Sequence, residues 1–274
     1  THDIHVAYCP ERVLPGKILH ELVYNDRVIG GISEACSREA KSLYEVFLKG
    51  QCFISNARTA EMVKLTENAS RDVQIAFANE LSIVCDELDI NVWSLIKLAN
   101  KHPRVNILQP GPGVGGHCIA VDPWFLIDAS PLKTQLLRSA RRINDSKPKW
   151  VVNQVLKAID HLKKTSNRAS SKKISVAFYG LAFKANIDDL RESPSIDIIK
   201  YFGNTNNLEL LAVEPNVEQI PQSISYCALV SFEEAKKIAD IHVLLVDHDG
   251  FEKPPISGYI VDTKGCWSFK DEHT

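Results

Sequence analysis

A glycine-rich loop, Gly111-Pro112-Gly113-Val114-Gly115-Gly116, runs straight into His117 and Cys118, and Asp122 follows four residues on. Glycines let backbone N–H groups close on an anion such as a phosphate ester. A cysteine next to such a loop becomes a strong nucleophile when backbone dipoles or cations favour its thiolate. The same pattern also fits an inert buried cysteine in a tight turn. His117 is a weak candidate for a base, because adjacent side chains often point apart. Lys64 and Asn68 stand four residues apart and share one helix face. An ammonium beside an amide would donate to an alkoxide or tetrahedral oxyanion, and a solvated helix face explains the pair as well.

The loop matches G-x-G-x-x-G literally, but it is not read as a dinucleotide fingerprint. That motif needs a buried strand before it and a helix opening at its last glycine. Here Asn106-Ile107-Leu108-Gln109-Pro110 precedes, and Pro123 is expected to forbid a regular helix after it.

Several elements must position these residues. Thr59 is expected as the N-cap of a helix reaching Ile90, with Glu61 in its first turn and apolar residues at helical spacing from Val63 to Leu88. At 1.5 Å per residue that is ~46 Å, long enough for a spine or a dimer interface. Asn91 caps a shorter helix that stops at His102-Pro103. Helix resumes near Leu132, and Lys147-Pro148 marks a junction before a helix from Trp150 to Leu162. Upstream, strands are expected at Val6–Tyr8, Arg27–Gly31 and Cys52–Ser55, with a helix over Ser33–Leu48. Three short strands make a poor parallel sheet, so the chain is expected to begin inside a domain, with an exposed edge and uncovered apolar faces. Downstream, residues 167–173 read as a linker. Strands Ile174–Tyr179, Leu208–Val213, His242–Val246 and Tyr259–Asp262, with helices Ser195–Tyr201 and Ser231–Ala239, then form a small parallel sheet. The expectation is an α/β protein in three parts: 1–56, the end of a domain; 57–147, a long helical region that includes the glycine loop; and 148–274, a parallel α/β domain.

The 274 residues carry 32 basic and 34 acidic side chains, net −2, so nothing marks a surface for nucleic acid or anionic lipid. Apolar runs such as Val243–Val246 are far too short to span a membrane, and the first residues are not those of a signal peptide. Seven scattered cysteines without a CxxC argue against a disulfide framework and a metal site. They read as reduced cytoplasmic thiols, mostly in core positions.

Five motifs occur in order: Tyr8-Cys9-Pro10-Glu11-Arg12-Val13-Leu14-Pro15-Gly16, Ala60-Glu61-Met62-Val63-Lys64-Leu65-Thr66-Glu67-Asn68, Gly113 to Pro123, Gly180-Leu181-Ala182-Phe183-Lys184, and Asp189-Leu190-Arg191-Glu192-Ser193-Pro194. In these the chain resembles the C-terminal two-thirds of the UDP-glucose/GDP-mannose 6-dehydrogenase family, which implies that 1–56 is the remnant of a Rossmann NAD-binding domain, 57–147 the dimerisation and catalytic-loop region, and 148–274 a Rossmann-like UDP-binding domain. Pro10-Glu11-Arg12, Pro15, His117 and Val121 point to the branch that acts on N-acetylated sugars, UDP-N-acetyl-D-mannosamine above all.

The resemblance implies a four-electron, NAD-dependent oxidation of a C6 hydroxyl to a carboxylate, as used for bacterial surface polysaccharides. It implies that Asp122, with Lys64 or a water, deprotonates the hydroxyl, and that Lys64 and Asn68 hold the oxyanions. Cys118 would form a thiohemiacetal and then a thioester, and Glu11 would activate the hydrolytic water. Arg12, Arg104, Gly113, Gly115, Gly116, Phe183 and Lys184 would bind the UDP-sugar, with Arg104 reaching it across the interface of a homodimer formed through helix 59–90. Arg191 would contact NAD. The family's first Rossmann unit, with its strand and G-x-G-x-x-G, is not in this sequence. The chain therefore reads as truncated, and a UDP-sugar-binding and dimerising module without hydride transfer is the alternative. A cysteine hydrolase is a third reading, with no orienting His-Asp pair to support it.

Overall fold

The computed structural model describes residues 4–13, 17–165 and 173–267. Leu14, Pro15 and Gly16 of the first motif, and residues 167–172 of the expected linker, lie outside them. The chain divides into two compact units, residues 1–70 with 122–130, and residues 71–121 with 131–274.

In the first unit, β1 (Ala7–Tyr8), β2 (Arg27–Gly31) and β3 (Cys52–Asn56) form a sheet in the order β1-β2-β3. β1 runs antiparallel to β2, and β2 parallel to β3. Helix α1 (Ile18–Tyr24) was not expected from the sequence. Helix α2 (Glu34–Tyr44) is capped by Ser33, whose Oγ accepts the Cys36 N–H at 3.2 Å. Phe53 and Ile54 of β3 remain about half exposed, as do Ile18 and Leu43, so apolar side chains of this unit do face solvent.

Helix α3 (Ala57–Glu87) begins two residues before the expected cap and ends three before the expected end. Asn56, not Thr59, supplies the cap: its Oδ1 accepts the Thr59 N–H at 2.9 Å. Helix α4 (Val92–Ala99) is capped by Asn91, as expected. Two proline expectations fail. Pro123 does not prevent a helix; it sits in the first turn of α5 (Asp122–Ala129), where a missing N–H leaves no intrahelical bond unmade. Lys147-Pro148 is no junction either. It lies inside α6 (Gln135–Thr165), whose buried face of Val151, Val152, Val155 and Ile159 holds the helix together across the lost bond.

The second unit ends in a five-stranded, all-parallel sheet of β4 (Ile174–Tyr179), β5 (Leu208–Val213), β6 (Ala228–Leu229), β7 (Ile241–Leu244) and β8 (Tyr259–Asp262), ordered β6-β5-β4-β7-β8. β4 is buried at every position, the pattern of a strand covered on both faces. Helices α6 and α7 (Pro194–Phe202) pack with the core cluster on one face, and α8 (Phe232–Ile238) with Tyr179 and Phe251 on the other. This strand order has a switch point between β4 and β7, where doubly wound sheets take their ligands at the carboxyl ends of the strands.

The cysteines are free, but not mostly core: Cys36, Cys85 and Cys227 are buried, Cys9 and Cys52 half-buried, Cys118 and Cys266 exposed. No helix among the described residues is long and apolar enough to cross a membrane.

Candidate active site

In the first unit, α3 and α5 bring two expected residues together. Asn68 Nδ2 donates to Asp122 Oδ2 at 2.5 Å. Asp122 opens α5, where the helix dipole favours a carboxylate. Lys64 lies one turn before Asn68, half-buried, and makes no hydrogen bond or ion pair among the described residues. Tyr8 belongs with this group. Burial first, then the charges of Glu61 and Asp122, push its phenol above the ordinary value. Its presence in the first motif was the only sequence signal for it.

Glu11 and Arg12 are already engaged. Glu11 Oε1 accepts the N–H groups of Arg12 and Val13 at 2.7 and 3.0 Å, and its Oε2 takes Arg27 Nη1 at 2.8 Å. Burial raises the Glu11 carboxyl, yet the Arg27 bond and the two N–H groups outweigh it and hold the group below its ordinary value. A base so held is weakened, because Arg27 and the two N–H groups favour the carboxylate over its protonated form. Arg12 donates to Glu67 Oε1 at 2.9 Å and to the Asp26 carbonyl at 2.5 Å, bracing its loop against α3.

In the second unit, the glycine loop closes on the turn after β4 and on the start of α7. A Cβ on Gly115 would lie 2.5 Å from the Glu192 carbonyl oxygen and 2.8 Å from Phe183 Cβ. Gly116, at φ +82°, would place one 3.1 Å from the Phe183 ring. Only glycines allow this approach. Gly113, Gly115, Gly116 and Phe183 therefore come together, with Lys184 exposed beside Phe183. Cys118 is exposed in the turn that follows, closed by the Val121 N–H on the Cys118 carbonyl at 3.1 Å. The buried cysteine allowed by the sequence is thus excluded. His117 is exposed too, and its charge helps lower Asp189.

A buried polar seam between α3 and α6 fixes the loop from beneath, and its members were not singled out in the sequence. The Asn79 Oδ1 accepts the Gly111 N–H at 2.9 Å, and its Nδ2 donates to Asn144 Oδ1 at 2.9 Å. Asn144 donates to Asp72 Oδ1 at 2.7 Å, which also takes Arg141 Nη1 at 2.5 Å. Ser82 Oγ donates to the Asn79 carbonyl at 2.6 Å and accepts from Lys147. The signal was a polar stripe at helical spacing, 72, 79 and 82, opposed by 141, 144 and 147.

Arg191 is held by a neighbour on its own turn, Asp189. Its Nε and Nη2 donate to the two Asp189 oxygens at 2.8 and 2.6 Å, and this hydrogen bonding draws the Asp189 carboxyl down to about 2. Arg104 lines an apolar cleft of about 630 Å³ with Val73, Phe77, Ile107, Leu136 and Ile143. Among the described residues no cluster of His, Cys, Asp or Glu could hold a metal ion. The glycine loop itself is not a dinucleotide cradle. No strand precedes Gly111–Gly116, the next helix opens at Asp122, and the glycines are packed on Phe183 and Pro194.

Family models match along the chain: the NAD binding domain of the UDP-glucose/GDP-mannose dehydrogenase family at residues 1–48, its central domain at 58–146 and its UDP binding domain at 177–269. A UDP-N-acetyl-D-mannosamine dehydrogenase of Salmonella typhi is 56% identical over 271 residues, 97% of this chain and 64% of the relative. An NDP-N-acetyl-D-galactosaminuronic acid dehydrogenase of Ralstonia solanacearum is 54% identical over 272 residues, 98% of this chain and 62% of the relative. Among solved structures, a UDP-D-ManNAc dehydrogenase from Pyrococcus horikoshii matches with a TM-score of 0.83 at 39% identity, over 97% of this chain and 62% of that one. The chain thus spans a little under two-thirds of the length of these relatives.

Proposed function

The chain belongs to the UDP-glucose/GDP-mannose dehydrogenase family, and from that premise we propose that it carries the substrate-binding and covalent chemistry of C6 oxidation of a UDP-N-acetylhexosamine, UDP-N-acetyl-D-mannosamine first, to the uronate. One observation carries the reading furthest: the glycine loop closes on Phe183 and the Glu192–Pro194 turn, and leaves Cys118 exposed at its end. The relatives' names support the N-acetylated sugar.

NAD is the family's cofactor, and two molecules of it in succession would each accept one hydride when bound. What this chain's own groups supply is the rest. Asp122, held by Asn68, takes the C6 hydroxyl proton directly or through water. The Cys118 thiol first gives up its proton; the thiolate sulfur then forms the C–S bond to the aldehyde carbon as the C=O π pair moves onto the oxygen, which becomes an alkoxide. The Lys64 ammonium and the Asn68 amide donate to that oxyanion. After the second oxidation the thioester is cleaved by water, which releases the carboxylate and restores the thiol. Glu11, weakened by Arg27, serves as base there. Phe183 and Lys184 hold the nucleotide. The apolar cleft beside α3, with Phe77 and Leu136 exposed, supports a homodimer with Arg104 at the interface.

A second reading, UDP-sugar binding without hydride transfer, is supported by the UDP binding domain matched at residues 177–269 and by the glycine loop closed on Phe183. Two measurements decide. Calorimetric titration with UDP and with NAD is expected to show UDP binding. Incubation with UDP-N-acetyl-D-mannosamine and NAD is expected to give two NADH per uronate. UDP binding with no NADH supports the second reading, and no UDP binding refutes both.

A further inference from the structure

Glu214 directly follows β5, and His248 lies four residues beyond the end of β7, so the sheet brings both to the carboxyl edge beside the switch point. Both are almost wholly buried, 4% and 3% exposed. Glu214 Oε2 accepts the N–H groups of Leu181 and Ala182 at 2.8 and 3.1 Å, and the His248 Nε2 stands 2.9 Å from the same oxygen. Glu214 Oε1 accepts the Asn216 backbone and side-chain N–H groups at 3.0 and 3.1 Å. On the other ring nitrogen, His248 Nδ1 faces the Asn186 N–H and the Asn216 side-chain amide, each at 3.0 Å. Two donors aimed at Nδ1 make it the acceptor, so Nε2 carries the hydrogen that Glu214 takes.

The consequence lies in what these bonds enclose. Leu181, Ala182 and Asn186 flank Phe183 and Lys184, and their N–H groups are pinned from inside the sheet. The N–H groups after the first strand of a doubly wound sheet ordinarily receive a ligand's phosphate. Here a carboxylate of the protein occupies that position.

We propose that Glu214 and His248 are positioning residues: the pair fills the phosphate position of its own sheet and so sets the segment Leu181–Asn186 to present Phe183 and Lys184 to the nucleotide from outside. The inference rests on the reading of Phe183 and Lys184 as UDP-binding residues.

The test uses UDP as the probe, in calorimetric titrations of the chain and its variants. The wild type is expected to bind. His248→Leu and Glu214→Gln are expected to weaken UDP at least tenfold while still melting cooperatively. His248→Asn keeps an acceptor for the Asn186 N–H and is expected to recover part of the loss. Tyr179→Phe removes a buried hydroxyl bonded to His242 at 2.7 Å on the same sheet. It is expected to lower stability and leave UDP affinity within twofold, which separates positioning from general loosening. The nitrogen spectrum of histidine-labelled wild type is expected to show His248 as the Nε2–H tautomer, a readout that needs no variant. Unchanged UDP affinity in folded His248→Leu, an equal loss in Tyr179→Phe, or the Nδ1–H tautomer each overturns the proposal and leaves the UDP site standing. A wild type that binds no UDP removes both.

Discussion

Arg191 and Asp189 show how a residue's neighbours decide what it can offer. Arg191 Nε and Nη2 are both spent on one carboxylate two residues away. Arg191→Ala is expected to return the Asp189 carboxyl from about 2 toward its ordinary 3.8, read from the side-chain NMR titration. An unmoved Asp189 would mean that the pair does not persist in solution. Lys147 is the opposite case, a lysine 2% exposed that sits 3.7 Å from the Trp150 ring centre. Burial drives its ammonium down to about 7, from an ordinary 10.5. A lowered folded value means that, between about 7 and 10.5, the unfolded chain holds a proton the folded chain has released. Stability should therefore rise with pH through that window, and its penalty is full below it. Lys147→Met is expected to flatten this slope in urea melts, with its largest gain near the acid end. Parallel wild-type and mutant slopes would contradict the account.

At the scale of elements, the glycine loop and its seam depend on close approach. Gly115→Ala would push a methyl into the Glu192 carbonyl and Phe183. It is expected to cost at least tenfold in UDP affinity while leaving the melting curve cooperative. Asn79→Ala strands the Gly111 N–H and Asn144, and is expected to destabilise by about 1–3 kcal/mol in chemical denaturation. Strands Arg27–Gly31, Ile174–Tyr179, Leu208–Val213 and Tyr259–Asp262 were legible because each is an apolar run closed by turn-forming residues. The two-residue β6 was not, since so short a pairing leaves no period. Pro123 and Pro148 misled because a proline's cost depends on where it falls in a helix and on what the helix buries. Cys118, Lys64, Asn68 and Asp122 were visible as residue types, but the sequence could not tell an exposed turn cysteine from a buried one. The seam of Asp72, Asn79 and Ser82 was not legible, because the partners that oppose it lie more than thirty residues away.

At the scale of the whole molecule, the cleft lined by Val73, Phe77, Leu136 and Ile143 is the surface expected to meet a second copy. Phe77→Glu should turn a light-scattering dimer into a monomer, and a wild-type monomer at micromolar concentration would remove both the dimer and the interface role of Arg104. The central claim is chemical, that Cys118 carries the sugar through its second oxidation. It is tested most directly by the uronate formed from UDP-N-acetyl-D-mannosamine and NAD by the wild type and by Cys118→Ser. The account predicts a loss of at least about a thousandfold, because the serine hydroxyl remains protonated where a thiol ionises. Turnover within about threefold of wild type would contradict it.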